Sequence, residues 1–168
     1  MLVITPIAKQ FKMQTILFNN VLQGIADSNG ADRITDHINH LQWIAGHLTG
    51  SRNGIAQLLG IQDTFPYKEI YADPTQPPPG NRALDTSLTY PPLSEIIYYW
   101  NEFAPAFNTA VGNVSNEQLA MQLPAGMPFK TVLDVLSFVA SHESYHIGQM
   151  SLIRRYLGLE AMSYKGSM

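Results

Sequence analysis

Cysteine is absent from this 168-residue sequence. That excludes disulfides, thiolate metal ligands and a cysteine nucleophile, and it fits a cytoplasmic protein. Charge is scarce as well. Asp, Glu, Lys and Arg make up 14% of the chain, against about a quarter in ordinary globular proteins. With a net charge of −3 and no basic stripe, nothing favours nucleic acid as a partner. No apolar run approaches the roughly 20 residues that a membrane helix needs, so no membrane partner is expected. The first residues lack a basic n-region, and Lys9 and Lys12 interrupt any apolar core of a leader, so no signal peptide is expected. Ten Asn and ten Gln stand in for charge. A surface so weakly charged suits self-association, and a homodimer is expected.

What is present reads as one all-α domain over residues 1–168. Hydrophobic residues make up 45%, enough for a sizeable core at this length. Four long helices follow from the spacing of apolar residues. The first is expected over 6–27, with Thr5 as cap, Pro6 in its first turn, an inward stripe of Ile7, Phe11, Phe18, Leu22 and Ile25, and Ser28-Asn29-Gly30 as its end. The second is expected over 36–59, capped by Thr35 and stopped by Gly60. The third is expected over 93–111, with Pro105 predicting a kink or break. The fourth is expected over 131–157, opened by a capping box of Thr131 and Asp134, carrying Arg154 and Arg155 near its C-terminus and stopped by Gly158.

Between helices two and three, residues 61–92 hold seven of the eleven prolines, including Pro77, Pro78 and Pro79. A connector this long is usually functional or a crossover, and it is expected to wall a pocket at one end of the bundle. Before helix four, Leu119, Met121 and Leu123 alternate, then Met127 and Phe129, which reads as a small hairpin.

The chemistry concentrates in helix four. His142 and His146 sit at i and i+4, on one helix face with β-carbons about 5–6 Å apart. They interrupt an apolar stripe of Val132, Val135, Val139, Met150, Ile153 and Leu157, whose steps of three and four mark a buried face. A buried polar group without a partner costs about 1–3 kcal/mol, so two imidazoles in a core stripe call for a shared partner such as a metal ion. His142-Glu143-Ser144-Tyr145-His146 also satisfies the H-E-x-x-H protease pattern. The third ligand that pattern requires is missing, because Gln149 and Leu152 stand where the extended motif wants Gly and His. Glu160 is the sole later acid.

A third histidine must come from another helix. Helix two offers His37, His40 and His47. His37 reads as a solvated end-of-helix residue. His40 and His47 share a face through Ile44, and the small and apolar neighbours Ala45, Gly46 and Leu48 favour His47 for close packing. Glu143 reads equally as a flank or surface residue, and Trp43 and Tyr145 as core or pocket aromatics. Arg52 could meet the carboxylate of a thiol cofactor, although no spacing singles it out.

Trp43-Ile-Ala-Gly-His47-Leu48, together with His142-Glu-Ser-Tyr-His146-Ile-Gly-Gln149 and Arg154-Arg155-Tyr-Leu-Gly158, resembles the DinB/YfiT-like superfamily. The likeness extends to the long connector. It implies a four-helix bundle, usually dimeric, with His47, His142 and His146 as ligands of a divalent metal ion. Zinc, nickel and iron all suit three imidazoles. The resemblance further implies a thiol S-transferase or related enzyme acting on a small-molecule substrate, with a low-molecular-weight thiol as co-substrate. A non-catalytic metal-binding bundle and a metal-dependent hydrolase are the alternatives. Catalytic and thiol-binding residues are not identified by the sequence.

Overall fold

A computed structural model describes residues 4–73, 75 and 82–166. Helices α1 (Ile4–Leu22), α2 (Leu41–Gly54), α4 (Leu93–Asn113) and α6 (Val132–Tyr156) dominate it, with short helices α3 (Lys68–Tyr71) and α5 (Asn116–Leu119). Among the described residues there are no strands, and no helix is long and apolar enough to cross a membrane. The expected hairpin reduces to a single antiparallel bridge between Gln122 and Thr131, with Leu123 N–H donating to the Lys130 carbonyl at 2.8 Å. The Pro77–Pro79 run lies outside the described residues.

The four main helices form a ring. α1 packs on α6 and α4, and α2 packs on the same two, which puts α1 and α2 at opposite corners. That arrangement makes α2 and α6 neighbours, although their sequences are far apart. Two apolar clusters fill the interior. One gathers Phe18, Ile44, Trp100 and Met150; the other gathers Phe11, Phe107, Leu136 and Val139. Between them lies a buried ion pair. Arg52 Nε and Nη2 donate to the two Glu143 carboxylate oxygens at 2.8 and 2.7 Å. The guanidinium lies 3.8 Å over the Trp100 ring and 4.7 Å over that of Phe107, so it touches both clusters.

Several helix ends differ from expectation, each for a local reason. α1 stops at Leu22, because Gly24 takes the left-handed conformation (φ +78°) that glycine adopts without a steric cost. Ser28-Asn29-Gly30 belongs instead to the end of a separate short 3-10 turn over Asp27–Asn29. α2 begins at Leu41 rather than 36. The segment before it folds back as a turn, with Ile38 N–H donating to the Thr35 carbonyl and Gln42 N–H to that of Gly30. Ile34 and Ile38 still pack on the core. α2 closes at Gly54, and a 3-10 segment, Ala56–Leu59, carries the chain to Gly60 at φ +69°. α4 runs unbroken through Pro105. Both Pro105 and Asn101 are exposed, so the carbonyl that proline leaves without a partner can reach water. The Thr131–Asp134 capping box forms as expected.

The cap of α2 is His40 and not Thr35. Its Nδ1 accepts the Trp43 N–H at 3.0 Å. Burial, with help from Arg33, pushes the His40 pKa down to about 4. Protonation removes the lone pair that caps the helix and puts positive charge at its N-terminus, where it is unfavourable. The neutral form is therefore the folded form, and this stability is lost as pH falls from about 6.5 toward 4. His40→Asn keeps a cap and is expected to flatten that part of the acid dependence, measured as melting temperature from pH 7 to 5. An unchanged slope would exclude the role.

Candidate metal centre

α2 and α6 lie side by side, and each turns histidine toward the other. His47 is 3% and His146 8% exposed; His142 is half-buried. The Nε2 atoms of His47 and His142 are 3.0 Å apart. Two nitrogens bound to one tetrahedral zinc at about 2.0–2.1 Å would stand roughly 3.3 Å apart, so this spacing suits a shared ion. One ligand atom from each of His47, His142 and His146 lies within 4.8 Å of the other two. His40, the rival candidate, is the α2 cap and stands apart from the cluster, and His37 is exposed.

Each ring is held from behind. Trp43 stacks on His47, centroids 4.7 Å apart and planes at 12°. Phe138 stacks on His142 at 5.5 Å and 17°. His146 Nδ1 meets Gln149 Oε1 at 2.7 Å. An amide oxygen only accepts, so Nδ1 of His146 carries the proton and its Nε2 lone pair is free for an ion. Gln149 in turn donates to the Tyr145 hydroxyl at 3.0 Å. This relay is the kind of outer support that fixes the tautomer of a ligand imidazole. His142 Nδ1 is buried without a hydrogen-bond partner, so stacking rather than hydrogen bonding orients that ring.

The electrostatics suit a cation. Burial, then the nearness of His142 and His146, pushes His47 down to about 3. Burial, then His146, pushes His142 down to about 4. Burial also lowers His146, opposed by its bond to Gln149. All three are neutral at pH 7, the state in which imidazole binds metal.

Glu143 and Arg52 serve a different purpose from the surface and cofactor-binding readings. Glu143 is fully buried and Arg52 is 1% exposed. Burial pushes the Glu143 carboxyl up, while the Arg52 charge and its hydrogen bonds oppose the shift. Neither residue is free to meet a ligand. No spacing signal in either helix reveals this pairing, because it joins positions 91 residues apart. Trp43 lies in the core against the site, whereas Tyr145 is exposed.

A cavity of about 390 Å³ opens beside the cluster, with His47 and His142 in its wall. The C-terminal half of α2, the start of the proline-rich connector at Lys68–Ala72, the 123–129 loop and α6 enclose it. The connector thus walls a pocket through its described part. Gly46 is needed here. A Cβ at that position would sit 1.9 Å from the Tyr71 hydroxyl, and Tyr71 lines the cavity. Gly46→Ala is therefore expected to displace Tyr71 and to cost about 1–3 kcal/mol through overpacking, read by denaturant unfolding. A loss below half a kcal/mol would show that Tyr71 moves freely.

Residues 6–150 match the model of a protein family described as the DinB superfamily. The comparison with curated proteins gave no match.

Proposed function

The chain belongs to the DinB superfamily, and from that membership and the three-histidine cluster we propose that it is a metal-dependent thiol S-transferase. His47, His142 and His146 are the proposed ligands of a divalent ion. Such an ion supplies Lewis acidity and lowers the pKa of a thiol or water it binds. The reaction proposed joins a low-molecular-weight thiol to an electrophilic small molecule. The thiol gives its proton to water, its sulfur forms the new bond to the electrophilic atom, and the bond from that atom to the displaced group breaks with the electron pair leaving on that group.

The observation that carries the reading is the cavity beside His47 and His142. An ion serving only as a staple would need no such space. Nor would α2 and α6 need that staple, since the Arg52–Glu143 pair already joins them. A thiol is favoured over water on proton chemistry. A free thiol has a pKa near 8.5 and needs only a modest shift at neutral pH, whereas water must fall from about 15.7. Glu143, which stands between the two α6 histidines, is held by Arg52 and is no base for water; Glu69 is the acid in the cavity wall.

A homodimer belongs to the same proposal. Phe138, Tyr145, Leu152 and Tyr156 are exposed and recur along one face of α6, which supports self-association. Sedimentation at micromolar concentration tests it, and a monomer throughout would remove it.

Metal analysis of the purified protein, followed by incubation of loaded protein with a panel of thiols and a chromogenic electrophile, tests the activity. The expected result is a thiol-dependent rate that His47→Ala abolishes. No rate above that variant with any thiol would overturn the proposal.

A further inference from the structure

The cavity is apolar through most of its wall: Ile55, Leu58, Met127, Phe129, Phe138 and Val139 all line it. Positive charge beside it is already paired. Among the described lining residues Lys68 is the one cation, and its ammonium is bound to the Asp63 carboxylate at 2.6 Å. Glu69 adds a negative charge. Arg52, the other cation nearby, points away into the core against Glu143. In the metal-free protein a carboxylate or phosphate entering this space would therefore leave water without meeting a free positive charge, which is costly. An uncharged apolar group would instead release ordered water from hydrocarbon walls, which is favourable.

Size narrows the class further. A cavity of roughly 150 Å³ lined by apolar side chains holds one benzene, so about 390 Å³ has room for about two rings. We infer that this cavity takes the uncharged, apolar body of a small molecule about two aromatic rings in size, with its reactive end toward His47 and His142. That this molecule is the electrophile, rather than the thiol, rests on the function proposed above. A low-molecular-weight thiol that carries carboxylates keeps them outside this space and brings only its sulfur to the His47 and His142 side.

Gly54 provides the test. It lines the cavity, and an added Cβ there meets nothing within 4 Å. Its φ is not positive, so a side chain is tolerated at this end of α2. Gly54→Leu should fill the cavity while the fold holds, because leucine favours the helix over glycine. The measurement is titration with naphthalene and with 2-naphthoate, on chelator-treated protein and on metal-loaded protein, followed by NMR shift or calorimetry. Metal-free protein is expected to bind naphthalene at least tenfold more tightly than 2-naphthoate. Gly54→Leu is expected to weaken naphthalene at least tenfold with an unchanged or higher melting temperature. Should that variant misfold, Ser51→Leu adds bulk from another position in the cavity wall.

Three results would each overturn the inference: no naphthalene binding in either metal state, equal or tighter binding of 2-naphthoate by the metal-free protein, or indifference to the filling variants. Failure of thiol transfer alone would leave naphthalene binding by the metal-free protein intact, so the two proposals fail separately.

Discussion

Glu143→Ala is expected to destabilise the protein by about 3–5 kcal/mol, the usual cost of leaving one member of a buried ion pair without its partner. At this chain length each kcal/mol lowers the melting temperature by about 2–4 °C, so the drop is roughly 6–20 °C. Arg52 would be left inside the bundle with only Thr15 Oγ1 at 2.8 Å and the Phe11 carbonyl at 3.3 Å as hydrogen-bond acceptors. The variant should also bind metal about 10–100-fold more weakly, as with other residues that support ligand positions. Glu143 stands between His142 and His146 on α6, and Arg52 lies five residues beyond His47 on α2, so the pair sets how the two helices align. Replacing both residues by methionine removes both charges and fills similar volume. That double variant should recover most of the stability, while metal affinity stays low if alignment is what the pair provides. A loss under 1 kcal/mol for Glu143→Ala would show that water reaches the pair, against its complete burial.

Metal loading is the second large effect. At a free concentration 1,000-fold above Kd, an ion bound only by the folded protein adds about 4 kcal/mol, or roughly 8–16 °C in melting temperature. His146→Ala should abolish nearly all of that gain, since it removes a ligand and strands Gln149. Acid works in a defined direction. His47 and His142, pushed down to about 3 and about 4, are neutral in the folded chain and charged in the unfolded chain below about 6.5. Metal-free stability is therefore greatest above pH 6.5 and falls as pH drops, by about 1.4 kcal/mol per fully buried histidine at pH 5.5. Metal affinity should hold to a lower pH than free imidazole allows. Calorimetric titration between pH 7 and 5 checks both. A metal-independent melting temperature at every pH would remove the centre altogether.

Periodicity along the chain reached a good part of this arrangement. The i, i+4 pair of His142 and His146, the Thr131–Asp134 box and the four main apolar stripes depend on a few neighbouring residues, and short-range geometry alone sets them. The ends of α1 and α2 were less legible. Gly24 stops a helix whose apolar spacing continues to Ile25, and a turn in which Ile38 N–H donates to the Thr35 carbonyl stands where the second helix was expected to begin. Spacing left His40 and His47 open because both lie on the same face through Ile44. His40 then proved to be occupied by its own backbone, as the acceptor for Trp43.

Local spacing sets roughly where the four main helices lie and that two imidazoles share one inward face of the last, because those properties repeat every few residues. That α2 lies against α6, that His47 completes the cluster, that Glu143 belongs to Arg52 and that an apolar cavity adjoins the rings follow from long-range packing alone. Each of those facts joins side chains 50 or more residues apart, and packing among four helices, rather than any local preference, brings them together.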